Sequence, residues 1–205
     1  MLTQHGMAYP LIEGALDKDM TTTTKLLDAA EYRMRRGGYN AVSFRDLAED
    51  TGIKSSSVHY HFPKKEDLGV ALVKRYSERF FAALTEASEG AGTLPEKLAA
   101  YQSVYRAALI QDDAICLCGL LGAEIPCLPP SLEAATQSFF RNNINWVEDA
   151  LPSALNTDEK SRLAETLLAG HQGAMMLATS MKNKALFETV TGQLIDVTLL
   201  KCGTQ

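Results

Sequence analysis

The sequence predicts an all-α fold, with a small N-terminal unit of short helices ahead of a larger helical bundle. Three observations carry that reading. Apolar residues recur every three or four positions over long stretches, as in Leu68, Leu72, Tyr76, Phe80 and Leu84. No stretch alternates apolar and polar residues for long enough to read as a strand. Glycine and proline punctuate the periodic runs, at Gly37-Gly38, Gly52, Pro63, Pro126, Pro129-Pro130 and Pro152.

Residues 1–20 have no clear period and contain Pro10 and two glycines, so they read as an arm with a short helix at Leu11–Leu16. Met20 precedes four threonines and looks like a fresh helix start, which makes it a candidate natural start. "TTTTKLLDAAEYRMRRGG" sets Leu26, Leu27, Ala30 and Met34 at helical spacing, with Gly37-Gly38 as the stop. Tyr39–Val42 is a connection, and Ser43 can cap the next helix, "FRDLAEDT". Gly52 ends that helix, "KSSSVHY" makes a third, and Phe62-Pro63 is a turn. A long helix follows from Lys65 to about Ser88 and stops at "EGAGT". Further helices are expected over Leu94–Ile110, Asp113–Ala123, Ser131–Leu151, Thr157–Met181 and Lys184–Lys201. The organisation is then an arm at 1–20, a three-helix unit at 21–64 and a helical body at 65–205.

The chain of 205 residues is long enough for a real core, and its 46% apolar and 22% charged residues are ordinary globular values. No run approaches the roughly 18–20 apolar residues of a membrane span, and the first nineteen residues hold one cation, Lys18. The expected location is the cytoplasm, with no membrane partner. Four cysteines there should be thiols rather than a disulfide framework. Net charge is −5, which by itself argues against a nucleic-acid binder. Its distribution argues the other way. From Thr21 to Tyr76 ten cations face seven acids, so that segment carries +3 on a body of −8. A basic end on an acidic body is the asymmetry expected when one end meets a polyanion.

The segment "TGIKSSSVHYHFPKKEDL", residues 51–68, places three serines, two histidines and a tyrosine within seven positions, and only Val58 looks made for a core. Paired with "FRDLAED" across Gly52 and Ile53, it matches a helix-turn-helix. A helix that enters a major groove must leave its outer face uncovered and present short donors close to the backbone. Ser55, Ser56 and Ser57 fit that need, Lys54 and Lys65 stand at the two ends, and His59, Tyr60 and His61 are aromatic donors. Ser43, Arg45 and Lys64 complete the candidate DNA-contacting set. His59 and His61 also raise a metal pair, but positions i and i+2 of a helix point about 200° apart, so no metal is assigned.

The stretch "AAEYRMRRGGYNAVSFRDLAEDTGIKSSSVHYHFPKKEDL" resembles the DNA-binding domain of the tetracycline-repressor (TetR) family of transcriptional regulators. The likeness rests on the Ala-rich first helix, the Gly-Tyr after it, Ser43 before Leu47-Ala48, Gly52-Ile53, and the aromatic cluster ending at Phe62 before Lys65-Glu66 and Leu68. It covers roughly residues 24–72. The resemblance implies a homodimer, a divergent C-terminal domain for ligand binding and dimerisation, and repression lifted by a small molecule. Two positions depart from the family pattern. His59 stands where a tyrosine is usual, with Tyr60 one place later, and Lys64 replaces a Ser or Thr cap.

In the body, Tyr101, Tyr105, Phe139, Phe140, Trp146, His171, Met175 and Met176 fall on helices that would surround a ligand cavity, or form plain core. His171, between Gly170 and Gly173, is the best polar candidate there, and a core histidine satisfied by a neighbour is the other reading. Cys116, Cys118 and Cys127 cluster in "CLCGLLGAEIPCLPP". They can pack as small apolar groups, act as a thiol-based sensor of oxidants or electrophiles through Cys116 or Cys118, or bind a soft metal. Gly170, Gly173, Ala174 and Ala178 form a small-residue stripe, and Leu186, Val190, Leu194 and Val197 an apolar one. These two helices would pair with their copies in a dimer, or bury one another within the chain. No nucleophile elbow, phosphate loop or paired-carboxylate spacing is present, so the reading is a regulator rather than a helical-bundle enzyme, and no cofactor is assigned.

Overall fold

The structure, a computed structural model, describes residues 21–110 and 113–203. The expected arm over residues 1–20 and its helix at Leu11–Leu16 lie outside the described residues. Nine α-helices and two short 3₁₀ turns make up the described chain, with no strand among the described residues. They are α1 (Thr22–Gly37), α2 (Phe44–Thr51), α3 (Ser55–His61), α4 (Lys65–Ala87), α5 (Leu94–Ile110), α6 (Leu117–Ala123), α7 (Pro130–Ala150), α8 (Thr157–Ser180) and α9 (Ala185–Lys201). The 3₁₀ turns are Tyr39–Ala41 and Ile125–Cys127. No helix among the described residues is long and apolar enough to cross a membrane.

Helices α1 to α3 form a head around Leu26, Leu27, Ala30, Met34, Val42, Leu47, Val58 and Phe62, all buried. Local chemistry sets their ends. The Thr21 hydroxyl accepts from the Thr24 N–H at the start of α1, and Arg35 and Arg36 stand in its last turn, where cations suit the dipole. The Arg33 guanidinium forks onto the Asp50 carboxylate, with Nη2 at 2.8 Å from Oδ1, and ties α1 to α2. The body is a bundle of α4 to α9 around an aromatic core. The ring of Phe80 lies 5.1 Å from that of Phe139 and 5.0 Å from that of Tyr105, both tilted edge to face. Helix α8 opens on a capping box in which the Asn156 side chain accepts from Glu159 N–H and Glu159 accepts from Asn156 N–H, both at 2.9 Å.

Head and body share one polar seam. The Glu31 carboxylate of α1, almost buried, accepts from Arg79 Nη2 at 2.6 and 2.7 Å and from Arg75 Nη2 at 3.1 Å, both on α4. Arg35, one turn on and also buried, donates to the main-chain oxygens of Ala108 (3.3 Å), Ala114 (3.0 Å) and Ile115 (2.9 Å). From the other side, the Glu124 carboxylate at the end of α6 accepts the Tyr39 N–H at 2.8 Å. Gly38 permits this twice over. Its φ is +78°, and a Cβ there would meet Glu124 Oε1 at 1.9 Å.

The seam corrects one expected element. The helix expected over Asp113–Ala123 begins only at Leu117: Asp113 stands at φ +48°, outside the right-handed helical region, and the Ala114 and Ile115 carbonyls accept from Arg35. Cys116 is therefore the N-cap residue of α6 rather than an interior helical position.

The stripe expected at a dimer contact is also redirected. Gly170 faces Leu194 of the same chain, where an added Cβ would lie 2.3 Å from Leu194 Cδ2. Ala174 and Ala178 are buried within the chain, so they cannot touch a second copy, and Leu186, Val190 and Leu194 are half-buried against it. Small residues here let α8 and α9 approach each other. Gly173 faces open space and Val197 is exposed. The outward apolar surface of the pair is instead Met176, Leu177, Met181, Val197 and Leu200.

Replacing Arg35 with methionine keeps much of its bulk and orphans three carbonyls beside a buried carboxylate. Arg35→Met should lower the free energy of unfolding by about 3 kcal/mol, read from urea titration of the purified protein; a loss below about 1 kcal/mol, the usual worth of an exposed pair, would show the seam to be dispensable.

Candidate nucleic-acid interface

The turn between α2 and α3 is fixed by backbone geometry. Gly52 adopts the left-handed conformation at φ +66° and ψ +20°, and its N–H caps the Ala48 and Glu49 carbonyls. The Ile53 N–H reaches the Ala48 carbonyl at 3.1 Å. At the start of α2 the Ser43 hydroxyl accepts the Asp46 N–H at 3.2 Å, so it is engaged as a cap. Arg45, the second residue of α2, is exposed.

Helix α3 has one buried residue, Val58. Lys54, Ser55, Ser56, His59 and Tyr60 are exposed, and Ser57 is half-buried. Tyr60, at 84% exposure, is the most exposed of the large apolar-bodied side chains among the described residues. The three ring-bearing residues go different ways. His59 sets its ring edge on Phe44 at 4.7 Å, and His61 meets the Thr23 hydroxyl through Nδ1 at 3.1 Å. His61 thus anchors α3 to α1, which corrects its place among the outward donors. The two imidazoles face different neighbours, and no cluster of three metal-ligating side chains occurs among the described residues.

The two lysines after the turn also separate. Lys65 is half-buried, with Nζ 4.2 Å from the centre of the Tyr39 ring. Burial lowers its pKa, partly offset by Glu124. It is a junction residue rather than the free end cation the sequence indicated. Lys64 is exposed. Its N–H donates to Asp67 Oδ2 at 2.9 Å and its ammonium to Glu66 Oε1 at 3.2 Å. An ammonium accepts no hydrogen bond, so this is half a capping box, and Glu66 and Asp67 supply the negative charge that the helix start favours.

The body candidates form a packed interior. Tyr101, Tyr105, Cys116, Cys118, His171 and Met175 are all buried. The hydroxyls of Tyr101 and Tyr105 donate to Asn143 Oδ1 at 3.2 and 2.9 Å, and Asn143 Nδ2 donates to the Phe139 carbonyl. Burial raises both tyrosine pKa values. Trp146 stacks on Tyr101 at 5.6 Å, and Phe140 is half-buried against Gly122. Met176 is exposed, which removes it from this group. His171 Nδ1 lies 2.7 Å from the Leu167 carbonyl, while Nε2 is buried without a hydrogen-bond partner. Burial, with the nearby Cys116 thiol adding to it, raises the Tyr76 pKa. Burial pushes the Cys118 thiol up, favouring the neutral form, which is the poorer nucleophile. Cys127 is exposed and Cys202 half-buried.

Sequence reasoning missed Asn143, Glu31, Arg35, Arg79 and Glu124. The i, i+4 spacing of Glu31 and Arg35 was visible, but it reads as a surface pair until α4 and α5 are placed beside it.

Three short helices, with a third that leaves its outer side open to solvent, make this a helix-turn-helix DNA-binding protein. The family model "Bacterial regulatory proteins, tetR family" matches residues 26–72. No curated protein matches the chain. Among solved structures, a TetR transcriptional regulator from Legionella pneumophila is 30% identical, with 87% of this chain and 97% of that one covered and a TM-score of 0.79. A TetR-family regulator from Agrobacterium tumefaciens is 27% identical over 85% of this chain and 95% of that one, with a TM-score of 0.78. The reduced form of NemR from E. coli shares the fold at 21% identity and a TM-score of 0.72, covering 85% and 95% of the two chains. The chain belongs to the TetR family of transcriptional regulators.

Burial holds the His171 pKa down to about 4, against 6.5 for a free imidazole. Between those values the unfolded chain binds the proton and the native one does not, so stability falls as pH drops through that window. Urea unfolding at pH 7 and pH 4.5 should show the unsubstituted protein losing about 2–3 kcal/mol more than His171→Leu; equal losses would contradict a neutral buried ring.

Proposed function

We propose that the protein is a homodimeric, ligand-responsive repressor that places two copies of α3 in successive major grooves of a pseudo-palindromic operator, about 34 Å apart. The observation that carries this reading is the bare outer face of α3, held to the head by Val58 inside and by the His61–Thr23 contact at its end. Ser55 and Ser56 let the DNA backbone approach closely, and Ser57 stands at the edge of that face. Lys54, Lys64 and Arg45 supply phosphate contacts, and the ring that reaches out beside them is Tyr60, with His59 behind it on Phe44. Ser43 serves α2 as its cap and meets DNA only through that helix end. The small-molecule effector acts through the body, and the reading requires no catalysis.

Dimerisation is supported by the apolar surface of α8 and α9. Five large apolar side chains, between 46% and 67% exposed, stand on α8, its C-cap residue Met181 and α9. Such a surface on a monomer is an association liability, and two copies of it bury each other. Two heads on one frame gain affinity through effective concentration.

Three measurements test the proposal. Anisotropy titration against DNA flanking the protein's own gene should give sequence-dependent binding that weakens steeply from 50 to 200 mM salt; binding indifferent to sequence counts against an operator. Tyr60→Ala should weaken operator binding about 10-fold at an unchanged melting temperature, and Lys64→Ser should weaken it with a melting temperature equal or higher; a lower melting temperature with intact binding would refute the role given to Lys64. The double variant Leu177→Glu, Leu200→Glu should sediment as a monomer where the unsubstituted chain sediments as a dimer.

A further inference from the structure

The body interior and the head–body seam differ in the room they offer. The interior candidates are packed on one another, with Tyr101, Tyr105 and His171 fully buried. At the seam, α1, α4 and α5 leave a groove of about 720 Å³, within the roughly 300–1,000 Å³ of ordinary ligand sites. Its lining mixes the small apolar side chains Ala83, Ala87, Val104 and Ala107 of α4 and α5 with the guanidiniums of Arg36 on α1 and Arg79 on α4.

Charge along the α1 side of the groove favours an anion. Arg35, Arg36, Arg75 and Arg79 gather there against Asp28 and Glu31, an excess of two positive charges. Arg79 meets Glu31 through Nη2, its side chain is 53% exposed, and it lines the groove. A guanidinium with donors left over is the usual partner of a carboxylate.

We propose that this seam groove takes the effector, and that the effector is an amphipathic monoanion: a carboxylate on Arg79 and Arg36, and a short aliphatic tail along Ala83, Ala87, Val104 and Ala107. This rests on the regulator reading for its consequence, though not for the binding itself. The occupant touches Tyr32 and Arg36 of the head and α5 of the body together. An occupant that bridges head and body in this way binds unequally to any two arrangements of head on body, and operator affinity changes by the same factor. The buried arm of Arg35 runs from the same groove to the Ala108, Ala114 and Ile115 carbonyls, which puts the loop before α6 in the path of any shift of α1.

Calorimetry on the full chain tests the site, with octanoate as probe and acetate and 1-octanol as controls for charge without tail and tail without charge. Octanoate should bind once per chain, and both controls at least about 10-fold more weakly. Ala83→Trp fills the groove from an exposed position, and Arg79→Met removes the headgroup contact; each should weaken octanoate about 10-fold or more with the helical circular dichroism unchanged. His171→Leu, in the interior, should leave it intact. Saturating octanoate should alter operator affinity about 5-fold or more. No heat from octanoate, or undiminished binding by Ala83→Trp, overturns the site. Loss of binding in His171→Leu alone moves the effector to the interior and also overturns it. A protein that binds octanoate as described but no operator leaves the site standing and removes the regulator reading.

Discussion

One carboxylate decides how the two halves of this molecule hold together. Glu31 is almost buried, and a lone ion in that position would be costly. Arg75 and Arg79 from α4 close on it, while Arg35 approaches it at 3.8 Å within α1. Without Glu31 the seam would hold several guanidiniums and little to balance them. With it, α1 belongs to the head through its apolar side and to the body through its polar one. Arg35 extends the hold inward to three main-chain oxygens, and Glu124 returns it from the body to the Tyr39 N–H. The head is thus fastened at both flanks of the short helix α6.

That fastening lets α3 be what it is. A seven-residue helix with one buried side chain has almost no stability of its own. It stands because Gly52 turns the chain into it, Phe62 plugs the core after it, and His61 reaches Thr23. Everything that would ordinarily stabilise the helix lies behind it or at its ends. The face in front carries serines, a lysine and Tyr60, and stays open.

Much of this was readable in the sequence because it is local. The cap at Ser43, the stop at Gly52 and the four-residue rhythm from Leu68 to Leu84 concern neighbours within a turn or two, and the helices begin and end where those signals place them. What escaped depends on distant pairs. Arg35 meets carbonyls 73 to 80 residues away and Glu124 meets a backbone N–H 85 residues away. No periodicity encodes such contacts, and they lie where α6 starts later than expected. The small residues of α8 posed another ambiguity. Their spacing says that some helix comes close but not whose, and the close neighbour is α9 of the same chain. Lys65 was misjudged for the same reason, since only the folded chain brings Tyr39 beneath it.

The grip of Arg35 has an evolutionary side. A guanidinium that binds peptide oxygens is blind to the side chains at positions 108, 114 and 115. The joint itself asks of those positions only that the main chain keep its course, while packing against the core limits what stands there. The rest of the joint has no such latitude, because Glu31 and the Tyr39 N–H need particular side chains opposite them, Arg75 and Arg79 on α4 and Glu124 after α6.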